Sequence, residues 1–234
     1  MNQNPSKFVT TGKQKDDKMS RVKIWDSYIR IYHWLMVVLV ISQIWTASQG
    51  YMEWHQRGAF VLGALILTRL IWGFIGSESA RFSVFLRGPR AVIEHFRELR
   101  EGRHQTETTH NPAGGWSVVA ILLALLIQIG TGLFATDDIL FDGPLAHLVS
   151  SSTRDLLTTI HHLNVYFIFT VVGLHVLAII GYRLIGIPLT MAMIHGYQDL
   201  DEERAAYKQP RLRNGTWGIL IALLLASAAF YFLD

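Results

Sequence analysis

Five stretches of about 20 residues, almost empty of charge, dominate this chain: roughly 31–50, 56–75, 116–135, 160–184 and 216–233. Each is long enough to cross a hydrocarbon core of roughly 30 Å. Lipid offers backbone N–H and C=O groups no partners, so such runs must pair their own backbone and are predicted to be α-helices. Composition agrees: 50% of the 234 residues are hydrophobic and 17% are charged, against about 25% charged in a typical soluble domain. The first four runs are rich in Leu, Ile, Val, Phe and Trp. The fifth, TWGILIALLLASAAFYFL, is apolar all round, as a lipid-facing peripheral helix would be. The expected fold class is an all-α membrane protein.

The connections between runs differ in charge. Residues 1–30 hold seven Lys or Arg, residues 76–115 hold six Arg, and residues 183–215 hold five basic residues. The first connection has no basic residue before Arg57. Residues 136–159 have one, Arg154, beside Asp137, Asp138, Asp142 and Asp155. The positive-inside rule then puts the N-terminus and the second and fourth connections in the cytoplasm, with the C-terminus outside. Residues 1–20 are polar and basic and are predicted to be a disordered tail. The first 30 residues lack an apolar core and do not read as a cleavable signal peptide. Residues 21–200 form the expected membrane domain, and 201–234 a linker and fifth helix. The segment 89–104 is amphipathic and basic, suited to the membrane surface or equally to solvent.

There is no cysteine, which excludes disulfides, thiolate zinc sites, iron–sulfur clusters and covalently attached haem. Histidine is the remaining soft-metal ligand, and there are ten. Ionisable residues inside spans are functional candidates: His33 in the first, His55 opening the second, and His161 or His162 with His175 in the fourth. His161 to His175 is a step of 14 residues, which leaves the two about 40° apart on one face and about 21 Å apart along the axis. From His162 the angle is about 140°, so phase selects His161. Topology places His33 and His175 at the cytoplasmic level and His55 and His161 at the outer level. Two opposed imidazoles at each level suit two six-coordinate b haems, whose irons transfer electrons rather than bind oxygen. The levels are too far apart to converge on one zinc ion.

Arg69 lies 14 residues after His55, near the inner level. A buried cation needs a partner, and a haem propionate offers a bidentate one; snorkelling to the interface is the alternative. Arg57 and Arg30 are weaker propionate candidates. His95, His104, His110, His147 and His195 read as surface residues, with His147 near any docking or quinone site. Gly114, Gly115, Gly130 and Gly132 permit close approach in the third span, with ordinary packing slightly favoured. Tyr32, Trp34, Trp54 and Trp72 fit an interfacial aromatic belt.

Four segments carry a resemblance: IRIYHWLMVV (29–38), EWHQRGAFVLGALILTRLIWGFIG (53–76), HNPAGGWSVVAILLALLIQIGTGLF (110–134) and IHHLNVYFIFTVVGLHVLAIIGYR (160–183). With the Arg-x-x-Trp-Gly element at 69–73, they resemble the bacterial cytochrome b561 family, which includes the cytochrome b subunits of nickel-iron hydrogenases. The resemblance spans about residues 21–200. It implies a four-helix bundle with two b haems on His33, His55, His161 and His175, and electron exchange with membrane quinone. The fifth helix falls outside it, and His162 stands where members often have an acidic residue. Two functions follow as expectations. One is an inner-membrane conduit between quinone and a periplasmic partner such as a cytochrome c, steered by the acidic 136–159 loop. The other is the membrane anchor of a hydrogenase or other periplasmic dehydrogenase. A non-redox structural membrane protein is the third reading. No nucleic-acid partner is expected, and a homo-oligomer is left open.

Overall fold

The computed structural model describes residues 19–103, 107–137, 139–201, 205–206 and 209–233. Five long apolar helices form its body: α1 (Ser27–Ser48), α2 (Met52–Ile75), α5 (Pro112–Gly132), α6 (Ser151–Leu184) and α8 (Thr216–Leu233). Shorter helices lie between them: α3 (Phe82–Phe85), α4 (Pro89–Arg100) and α7 (Leu189–His195). The chain is a multi-pass membrane protein whose long helices present Phe74, Leu177, Leu224 and Phe232 outward, as a lipid-facing surface requires.

α6 starts nine residues before the expected span. Ser150 caps it by accepting from the Thr153 N–H, and its 34 residues extend to about 51 Å, well beyond the hydrocarbon. A stripe of half-buried and buried residues, His161, Asn164, Ile168, Val172, His175, Ile179 and Tyr182, recurs at three- and four-residue steps. α8 lies on α2 and α1. Gly215 and Gly218 allow this, because a Cβ at either would collide with residues Ser27 or Tyr28. Phe230 meets the edge of Phe60 at 5.5 Å.

One element departs from the all-α expectation. Strands β1 (Met19–Lys23) and β2 (Tyr197–Asp201) pair antiparallel, Met19 with Asp201 through Lys23 with Tyr197. Met19 and Ser20 therefore belong to a strand rather than to the expected tail; the tail's first 18 residues lie outside the described ones. Val22 and Leu200 face a core with Ile24, Trp25, Tyr28 and Trp72. Trp72 is thus buried, not part of an interfacial belt. Its indole N–H donates to Asp26 Oδ2 at 3.0 Å, while Asp26 Oδ1 caps α1 by accepting from the Ile29 N–H at 2.8 Å. That one carboxylate ties the start of α1 to the end of α2. A second core, built from Met36, Leu62, Leu65, Ile66, Leu122, Leu125 and Ile168, lies in the membrane.

Candidate haem-binding sites

α1 packs along α2 and α5 along α6, whereas α6 makes little direct backbone contact with α1 or α2. The helices carrying the paired histidines therefore face one another across a gap. At the end where the sequence predicts the outer face, the His55 and His161 rings lie 6.3 Å apart between centroids and are nearly perpendicular, at 83°. Two metal–nitrogen bonds of about 2 Å each, plus the two ring radii, would span such a separation.

Both rings are oriented from behind. His55 Nδ1 lies 3.1 Å from the Gln43 carbonyl on α1, and His161 Nδ1 lies 2.9 Å from the Gln128 carbonyl on α5. Each Nδ1–H donates to its carbonyl, which fixes the tautomer that leaves the Nε2 lone pair for a metal. This is the outer-shell arrangement of metal-ligating histidines. At His161 the Gln128 side-chain amide, 3.1 Å from Nε2, donates to that lone pair; Asn164 donates in turn to Gln128 Oε1. The two carbonyls share a further feature. Thr46 Oγ1 donates to Ser42 O at 2.8 Å and shares that bond with Gln43 O at 3.2 Å, and Thr131 Oγ1 donates likewise to Ile127 O at 2.7 Å and Gln128 O at 3.1 Å. Such back-bonding often bends a helix. Gly132 completes the outer level, since a Cβ there would meet His161 Cε1 at 2.8 Å and Nδ1 at 3.1 Å. His161 is half-buried and His162 is exposed.

At the inner end His33 and His175 lie close enough to interact electrostatically, and His33 Nδ1 is buried without a hydrogen-bond partner. Arg69 is 3% exposed and its Nη1 has no acceptor. Its guanidinium lies over Phe82 at 5.1 Å and Phe85 at 5.9 Å. Gly73 and Gly115 let that pair of rings approach: a Cβ on Gly73 would collide with Phe82, and one on Gly115 would meet Phe85 O at 2.9 Å. The facing imidazoles of the outer pair, and the unpartnered His33 Nδ1 and Arg69 Nη1 elsewhere in the bundle, fit b haems.

The other arginines stand apart. Arg30 Nη1 donates to the Ile194 carbonyl at 2.9 Å. Arg57 pairs with Glu53 at 3.0 Å and, two residues from His55, lies about 200° around α2 from it. It lines an apolar cleft of about 540 Å³ with Trp45, Trp54 and Phe230. Two histidines read as surface residues are not. His95 is 9% exposed and lies 2.6 Å from the Tyr182 hydroxyl, to which Asn111 also donates. His110 is packed between Trp25, at 4.9 Å, and Phe85, at 4.7 Å. Burial, helped by the charge of Arg69, pushes His110 down to about 3, so it is neutral. His104 lies outside the described residues.

The family model for prokaryotic cytochrome b561 matches residues 24–196, which span both histidine levels. The chain belongs to the prokaryotic cytochrome b561 family. Comparison with curated proteins and with solved structures gives no match. As a cytochrome b561, the protein is a membrane-embedded b-type cytochrome that transfers electrons. Sequence reasoning missed Gln43, Gln128 and His110. The first two act through backbone carbonyls, which no side-chain pattern announces; His110 looked like a residue of an open connection.

Proposed function

We propose that this cytochrome b561 holds two b haems in a bacterial inner membrane, one on His33 and His175 and one on His55 and His161, and passes electrons between membrane quinone and a partner on the outer face. A haem held by two imidazoles has no open iron position and exchanges single electrons. The observation that carries the reading is the outer pair: two rings facing at 6.3 Å, each with Nδ1 on a neighbouring helix carbonyl. On ligation the Gln128 amide turns away from His161 Nε2 and keeps its Asn164 bond. Arg69 supplies the cation for an inner-level propionate, with Arg30 and Arg57 as weaker candidates. Redox titration of the purified protein tests the reading. Two midpoints are expected, and His55→Ala should abolish one and leave the other. A single midpoint in the unmodified protein, or two in the variant, would overturn it.

The outer loop favours a stably attached partner, such as the catalytic subunit of a periplasmic dehydrogenase or hydrogenase, over a transient cytochrome c steered by charge. Asp137 spends its carboxylate on the loop itself, accepting from the N–H groups of Ile139, Leu140 and Phe141. The loop so formed carries Ile139 and Leu140, 85% and 89% exposed. Apolar surface of this kind belongs more to lasting interfaces than to electrostatically steered encounters. Co-purification from native membranes in high salt separates the two, because a charge-steered partner would be lost.

A further inference from the structure

Two buried donors at the cytoplasmic level lack acceptors, and they meet on one ring. Arg69 Nη1 and His110 Nδ1 are both sealed from solvent with no hydrogen-bond partner. Phe85, itself fully buried, lies 5.9 Å from the Arg69 guanidinium and 4.7 Å from the His110 ring. Trp25 closes the far side of His110. The fields of Arg69, His175 and His33 all reach His110, so this corner adjoins the inner histidine pair.

Nothing described in the protein answers these donors. The carboxylate nearest in effect is Asp26, behind the Tyr32 and Tyr28 phenols. Its two oxygens are occupied by the Ile29 N–H and the Trp72 indole. Buried polar groups are normally satisfied, and an exception calls for a group that completes it. A guanidinium and a neutral imidazole N–H together suit one carboxylate: the cation supplies charge, and the imidazole adds a directed donor without a second charge to desolvate.

We propose that His110 and Arg69 form a carboxylate seat, and that its occupant is a propionate of the haem held by His33 and His175. This rests on the two-haem reading. His110 is then a positioning residue for the inner cofactor. Its hydrogen bond draws charge from the propionate and so favours the reduced haem. Asn111, next in the chain, caps α5 through Gly114 N and also bonds Tyr182, which anchors the seat to α5 and α6.

Two variants of the full-length protein test this. His110→Phe keeps a ring between Trp25 and Phe85 but removes the donor. His110→Gln keeps an N–H. Redox titration, with His175→Ala marking which midpoint is the inner one, is combined with redox-difference infrared spectra of protein carrying propionate-labelled haem. In His110→Phe the inner midpoint should fall, with a several-fold lower reduced-to-oxidised ratio at fixed potential, and the labelled carboxylate band should move. His110→Gln should restore much of both, and the outer midpoint should not change. Loss of the inner haem in His110→Phe but not in His110→Gln also supports the seat. An unmoved inner midpoint and carboxylate band in His110→Phe, or equal damage in both variants, would overturn it. A single midpoint in the unmodified protein would instead bring down the two-haem reading itself.

Discussion

Gly132 shows how tightly single residues govern the outer level. It has no side chain because the His161 ring occupies the place where a Cβ would stand. Gly132→Ala must push that ring by a few tenths of an ångström and break its alignment with the Gln128 carbonyl. The outer midpoint should shift or disappear on redox titration, with the inner one unchanged. Gly130, with no atom near its missing Cβ, is the control, and Gly130→Ala should leave both midpoints in place. Asp26 carries two duties at once. Asp26→Ala removes a helix cap, which costs about 1 kcal/mol, and strands the buried Trp72 indole N–H, which costs about 1–3 kcal/mol more. A lower thermal midpoint in detergent should follow. The choice between His161 and His162 was legible because phase on a helix is arithmetic. The four residues of one level were not all legible, because Gln43 and Gln128 contribute a carbonyl that every residue type possesses.

Among the elements, the five apolar helices were plain in the sequence, since absence of charge over twenty residues has few other solutions. The sheet was not. Its strands pair residues 174 to 182 positions apart, from Lys23 with Tyr197 to Met19 with Asp201, and each is five residues long. The alternation is present: Val22 and Leu200 are buried, Arg21 and Asp199 exposed. It is too short to stand out from chance. The sheet still matters, because it closes the core over Trp25 and Trp72. Leu200→Ala should cost about 2–5 kcal/mol, read as a lower thermal midpoint, while the outer haem's spectrum stays unchanged. On the opposite face, the three loop amides that bond Asp137 hold its carboxyl below its usual range, the Phe141 N–H most of all. That interaction is present above the ordinary carboxylate pKa and is lost as pH falls through the lowered one. Asp137→Ala should make the loop more open to proteolysis at neutral pH, and the unmodified loop should match it only in strong acid.

Across the whole molecule, α1 and α2 meet α5 in the apolar core, but Ile168 is the one buried residue that α6 adds to that core. α6 is packed on α5 along its length but touches α1 and α2 little, and its buried residues are only Asn164 and Ile168. A helix with so little direct packing on that side is expected to gain order from bound haem, as ligand binding to the folded state stabilises it by mass action. Removing haem should therefore loosen one joint and spare the rest. Spin labels on the outer ends of α1 and α6 should show a broader distance distribution in haem-free protein than in holoprotein. Labels on α1 and α2, joined by their own packing and by the Asp26–Trp72 bond, should keep theirs. Equal distributions for the first pair with and without haem would mean that side chains alone close the gap.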